Sequence, residues 1–109
     1  MLTKKDISRI YNKGVSLRFR RKFTSERGDY DPSNLEINIY LYSHNSSQGD
    51  MDITILHEFI HARDDVLVKS FREKNLSEKE LEERVEDEAI QTYEKNPGII
   101  KFIREVYRK

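Results

Sequence analysis

The sequence predicts an α+β domain, and three observations carry that prediction. Apolar residues alternate with polar ones in two short stretches, 15–19 and 35–42, and they recur at helical spacing between recognisable caps in four others. A chain of 109 residues has room for one hydrophobic core, so 1–109 reads as a single domain. The order is helix, two strands, three helices.

Each element has a local reason. Thr3 followed by Asp6 is an N-terminal cap with its reciprocal acid, and Leu2 and Ile7 stand where a hydrophobic staple fixes the entering chain. This first helix ends near Lys13 and Gly14. Val15, Leu17 and Phe19 then alternate with Ser16, Arg18 and Arg20 as in a half-buried strand. Segment 25–34 holds Gly28, Asp29, Asp31, Pro32 and Asn34 and reads as a loop or long hairpin turn. In 35–42 the residues Ile37, Ile39 and Leu41 share one face, so the two strands form a short antiparallel sheet with one face on the helices. Segment 43–50 is polar and loop-like, and 51–69 is a long helix with Asp50 and Asp52 at its positive end. Ser77 and Glu80 form a capping box, with Leu76 and Leu81 as staple, and Asn96-Pro97-Gly98 stops that helix. A short last helix places Ile99, Phe102, Ile103 and Val106 on one side.

Composition removes several function classes. With no cysteine there is no disulfide framework, no thiol nucleophile and no Cys-type zinc site, so a metal would be held by His and carboxylate. No stretch approaches the ~20 apolar residues that span a bilayer, and the first residues are too charged for a signal peptide; the expectation is a cytoplasmic protein without membrane association. The 20 basic and 20 acidic side chains cancel, but unevenly along the chain. Segment 1–23 is basic apart from Asp6 and 77–94 is strongly acidic, so the two are expected to lie together and neutralise each other. The bases of 18–22 lack interleaved exposed aromatics, which argues against nucleic acid as a partner.

Chemistry concentrates in His57-Glu58-Phe59-Ile60-His61. Residues four apart on a helix lie one above the other, so both imidazoles can reach a single zinc ion (Zn2+), while Glu58 stands beside the metal as general base and acid for hydrolysis. The chain after His61 has neither the glycine nor the third histidine of a metzincin. Asp65 lies a further turn along and would not close the site. On the helix from Ser77, Leu81, Val85, Ala89 and Tyr93 form the apolar stripe, which leaves Glu82 and Glu86 beside it as candidate third ligands.

His57-Glu58-x-x-His61 followed by Glu86-x-x-Ala89 about 25 residues later resembles a gluzincin. The short chain and the strand from Asn34 to Leu41 are similar to the archaeal minigluzincins, soluble minimal scaffolds like the catalytic domains of CAAX prenyl protease type membrane peptidases. The resemblance implies a small zincin-like fold, a zinc metallopeptidase acting on peptide or protein, and His57, His61 and Glu86 as zinc ligands with Glu58 catalytic. It also makes 36–42 the rim along which an extended peptide adds, with Tyr40 and Tyr42 on its surface. Where many gluzincins have an Asp four residues after the ligand Glu, Ile90 stands here, so the group orienting a ligand His is unassigned. Tyr93, Arg63 and His44 are the candidates to stabilise the oxyanion. Segment 98–109 either packs on the core or covers the cleft as a regulatory tail, in its own molecule or in a homo-oligomer, holding a latent zymogen. The rival function is a zinc-binding regulatory or interaction module without peptidase activity, which a closed four-ligand site would mark.

Overall fold

The computed structural model describes residues 1–43, 48–68 and 76–108. It is α+β, with four α-helices and a three-stranded sheet: α1 (Lys4–Asn12), β1 (Ser16–Arg20), β2 (Gly28–Asp31), β3 (Glu36–Tyr40), α2 (Gln48–Arg63), α3 (Glu78–Lys95) and α4 (Gly98–Val106). The caps form where the sequence places them. The Asp6 amide donates to Thr3 Oγ1 at 3.1 Å and the Thr3 amide to the Asp6 carboxylate at 3.0 Å, while Leu2 and Ile7 are both buried. At α3 the Glu80 amide donates to Ser77 Oγ at 3.1 Å, but the Glu80 carboxylate accepts from the Ser77 hydroxyl at 3.0 Å instead of from its backbone. Half of that capping box is therefore realised.

The sheet is mixed, which corrects the antiparallel expectation. Its order is β1-β3-β2, with β1 parallel and β2 antiparallel to β3. Arg20 and Gly28 pair with Tyr40 and Ile39, so β1 ends and β2 begins at the same end of β3, and residues 21–27 arch across that end. β3 then inserts between the two strands that precede it. The β2–β3 turn is tied by Asp31, whose carboxylate accepts from the Ser33 amide at 3.0 Å and from Asn34 Nδ2 at 2.7 Å, and Leu35 takes the left-handed φ of 50°. β2 falls within the predicted loop, since Gly-Asp-Tyr-Asp carries no apolar alternation.

Ile37 and Ile39 face α2, which is buried along Ile55, Leu56, Phe59, Ile60 and Ala62 and forms the spine of the molecule. A helix apolar around most of its circumference must be covered nearly everywhere. α1, α3, α4 and the sheet do this, and one polar face is left. α2 begins at Gln48, inside the predicted loop, and from Asp64 to Val68 its last turn widens into a π-helix; Lys69 lies outside the described residues. α4 buries Ile99, Ile100 and Ile103 in the core, and the Tyr107 hydroxyl donates to the Val15 carbonyl at 2.9 Å. Of the two places considered for the tail, the described part occupies the core and contributes nothing to the cleft lining. Of the ion pairs between described residues, one joins the basic N-terminal segment to 77–94, the amino terminus with Glu88 at 3.9 Å. Arg18 and Arg20 are neutralised across the sheet by Glu36 at 3.4 and 2.7 Å instead. No helix of the described residues is long and apolar enough to cross a membrane.

Candidate metal centre

The exposed face of α2 opens on a cleft of about 770 Å³ between β2 and α3. His57, Glu58 and His61 line it from α2, Glu82 and Glu86 from α3. The two imidazoles meet as their spacing requires, with Nε2 atoms 3.2 Å apart. Glu82 spans both: one carboxylate oxygen lies 2.8 Å from His57 Nε2 and the other 3.1 Å from His61 Nε2. Glu86 sits one turn away, 3.1 Å from His57 Nδ1. Thus Glu82 completes the group that can hold a metal, where the family resemblance implied Glu86. Glu86 instead lies against the other ring nitrogen of His57.

These donors suit zinc. A carboxylate that accepts from the Nδ1–H of a ligand histidine orients its ring and leaves Nε2 to the metal. His57 Nε2 faces the second imidazole nitrogen and the Glu82 carboxylate, so a cation placed among them would meet three ligand atoms. Tetrahedral ligands at 2.0–2.1 Å stand about 3.4 Å apart, close to the 3.2 Å between the two Nε2 atoms. Burial lowers the His61 pKa, against the pull of Glu82, and so favours the neutral imidazole that ligates metal.

Glu58 is 7% exposed and makes no hydrogen bond or ion pair among the described residues. Burial, the largest cause, pushes its carboxyl up to about 7; His57 opposes this and Glu82, Asp29 and Glu26 add to it. Gly28 makes the close packing possible, because a Cβ there would stand 2.9 Å from the Asn38 carbonyl, 3.1 Å from Thr54 and 3.3 Å from Glu58.

The strand at the cleft is β2. This corrects the expectation of 36–42, because β3 is the central strand and has both edges paired. The Tyr40 amide donates to the Arg27 carbonyl at 2.9 Å, which makes that a hydrogen-bonded pair; alternation then turns the N–H and C=O of Gly28 and Tyr30 away from β3. Among the described residues no strand occupies that outer edge. Tyr40 is buried with its hydroxyl on Asp29, whereas Tyr42 is half-exposed and stacks at 5.2 Å on Phe23. Of the oxyanion candidates, Arg63 is held by Glu88 and Asp64 outside the cleft, Tyr93 packs on the core, and His44 lies outside the described residues. Sequence reasoning missed Tyr30, which lines the cleft and donates its hydroxyl to Asp65 at 2.6 Å. Its signal, one aromatic between two acids, is too weak to single out.

Comparison of the chain with protein-family models, with curated proteins and with solved structures returns no match.

Proposed function

We propose that the chain is a small zinc-dependent metallopeptidase of the minigluzincin kind, with His57, His61 and Glu82 holding zinc and Glu58 as general base and acid. The supporting observation is the convergence of His57 Nε2, His61 Nε2 and the Glu82 carboxylate, three atoms that could hold a metal, beside Glu58 in one open cleft. Zinc bound there would supply a Lewis acid that polarises a carbonyl and activates water. Glu58 takes the proton of the attacking water and delivers it to the departing amine, a duty that its place beside the two histidines in the cleft allows. Glu86 fixes the tautomer and orientation of His57. The outward backbone groups of Gly28 and Tyr30 let an extended peptide add to β2 as a further strand.

The test pairs zinc stoichiometry with hydrolysis of internally quenched peptides. One zinc per chain is expected, lost in His57→Ala and in His61→Ala. Glu58→Gln should keep the metal and lose hydrolysis by about 10²–10⁴-fold. Full zinc in a His57→Ala/His61→Ala double variant ends the reading. Stoichiometric zinc with no hydrolysis of any peptide would favour the zinc-held interaction module.

A further inference from the structure

β2 and α2 run side by side in the same direction. Arg27 pairs with Asp50, Gly28 lies against Thr54 and Glu58, and Tyr30 reaches Asp65. α3 returns the opposite way, since Glu86 meets His57 and Glu82 meets His61. One more turn along α3 brings Glu78 to the Asp65 end of the cleft, and Glu78 and Leu81 both line it. That end therefore combines a phenol ring and a leucine with two carboxylates, surfaces that match the methylene stem and charged head of Lys or Arg.

We infer that the cleft selects a basic peptide, seating a Lys or Arg side chain between Asp65 and Glu78, N-terminal to the bond that is cut. Which bond is cut rests on the peptidase reading above; the preference for positive charge rests on the cleft alone. Arg27 is the single Arg or Lys among the described lining residues, and Asp50 matches it at 2.5 Å. The bases of β1 do not reach the cleft, because Arg18 and Arg20 pair with Glu36 on the face of the sheet turned away from the helices. Glu58, 7% exposed and without a hydrogen-bond partner among the described residues, opens on the same cleft and adds a further acid to its lining. The Tyr30 hydroxyl fixes one oxygen of Asp65 and leaves the other without a partner among the described residues. Direction follows from the strand. A peptide added antiparallel, the commoner pairing, runs from Tyr30 towards Gly28 and so leaves its N-terminal half beside Asp65.

The experiment uses the full chain loaded with one equivalent of zinc and a set of neutral quenched octapeptides that carry Arg, Lys, Ala or Glu at each position before the central bond. In parallel, fluorescence anisotropy follows the same peptides, singly labelled, on the Glu58→Gln protein. Arg and Lys peptides should be cut about tenfold faster than Glu peptides, on the C-terminal side of the basic residue, with the gap closing in high salt. In Asp65→Asn/Glu78→Gln, with zinc stoichiometry checked, the Arg to Glu ratio should fall below about threefold, mainly through KM. Charge-selective binding without cleavage would uphold the charge preference and defeat the peptidase reading. Cleavage with no charge preference, or a preference that survives the double variant, overturns the inference and leaves the peptidase reading standing. Neither binding nor cleavage overturns both.

Discussion

Two sets of polar side chains flank β2, one on each face, and they are completed in different ways. On the face away from the helices, Arg20 Nε donates to Asn38 Oδ1 at 2.7 Å, Asn38 Nδ2 donates to Asp29 at 2.9 Å, and the Tyr40 hydroxyl donates to the other Asp29 oxygen at 2.5 Å. Arg20 also holds Glu36 at 2.7 Å. Every acceptor there has met a donor, so the network is finished when the chain folds. On the cleft face, His57 Nε2, His61 Nε2 and the Glu82 carboxylate converge, and Glu58 lines the same cleft without a hydrogen bond among the described residues. The two networks lie a strand's width apart, and the zinc reading assigns function to the second of them.

The largest expected effect removes both networks together. They share the core that α4 completes, and trimming after Gly98 strips the buried Ile99, Ile100 and Ile103. At ~1.5–3 kcal/mol each, the loss of about 5–9 kcal/mol rivals the whole stability of a small domain. Circular dichroism should show an unfolded chain at 25 °C; a folded trimmed chain with raised peptidase activity would instead restore the tail as a latency device.

Within the cleft network the two α3 carboxylates should separate by role. Glu82→Gln removes a donor that faces both Nε2 atoms, and zinc affinity by competition titration should fall by more than about 100-fold. Glu86→Gln disturbs only the Nδ1 contact of His57 and should cost about 10–100-fold. The opposite order would return the third ligand to Glu86.

That pair also shows where the sequence stops being readable. The wheel of α3 puts Glu82 and Glu86 on one face and narrows the proposed third ligand to those two, because helical phase is a property of one segment. Which of them reaches Nε2 depends on how far α3 slides along α2, and no single-helix pattern contains that offset. Thr3 and Ser77 are legible as caps, and the HExxH spacing is legible as two imidazoles on one face, since both depend on neighbours within four residues. β2 is hidden for the opposite reason. Its helix-facing positions are Gly28, where a side chain would collide with Thr54 and Glu58, and Tyr30; its other face, Asp29 and Asp31, is polar because it joins the Arg20–Asn38 network or ties a turn. A strand whose partners are a close helix and a buried polar network has no apolar alternation to read. The parallel pairing of β1 with β3 follows from β3 inserting between the strands before it, a choice made by the whole sheet.

A third test separates the two networks by pH. The Glu58 carboxyl is raised from 4.5 to about 7, so the folded metal-free chain holds this proton more tightly than the unfolded chain does. The stabilisation from that proton is full below about pH 4.5, fades as pH rises towards 7, and is gone above it. Glutamine does not titrate. Glu58→Gln should therefore match the parent near pH 4.5 and exceed it by about 3 kcal/mol at pH 8, read from urea midpoints of the zinc-free proteins. Equal stability at both values would mean that Glu58 is solvated in the absence of metal.

The smallest effect, and the one that sharpens the comparison most, is expected from the other face. Asn38 is 7% exposed and joins Arg20 to Asp29, so Asn38→Ala removes the middle of the finished network. Two hydrogen bonds to charged groups disappear. Arg20 keeps Glu36 and Asp29 keeps the Tyr40 hydroxyl, so neither charge is left bare. The cost should be about 1–2 kcal/mol, a fall of roughly 5–10 °C in the melting midpoint. Zinc affinity and the ratio of Arg to Glu peptide cleavage should stay within about twofold of the parent, because nothing on this face touches His57, His61 or Glu82. A parallel fall in zinc affinity would show that β2 transmits strain from one face to the other through Gly28, where backbone and Glu58 stand too close for a side chain. The two networks would then be one coupled system, with the paired face setting the position of the base on the unpaired one.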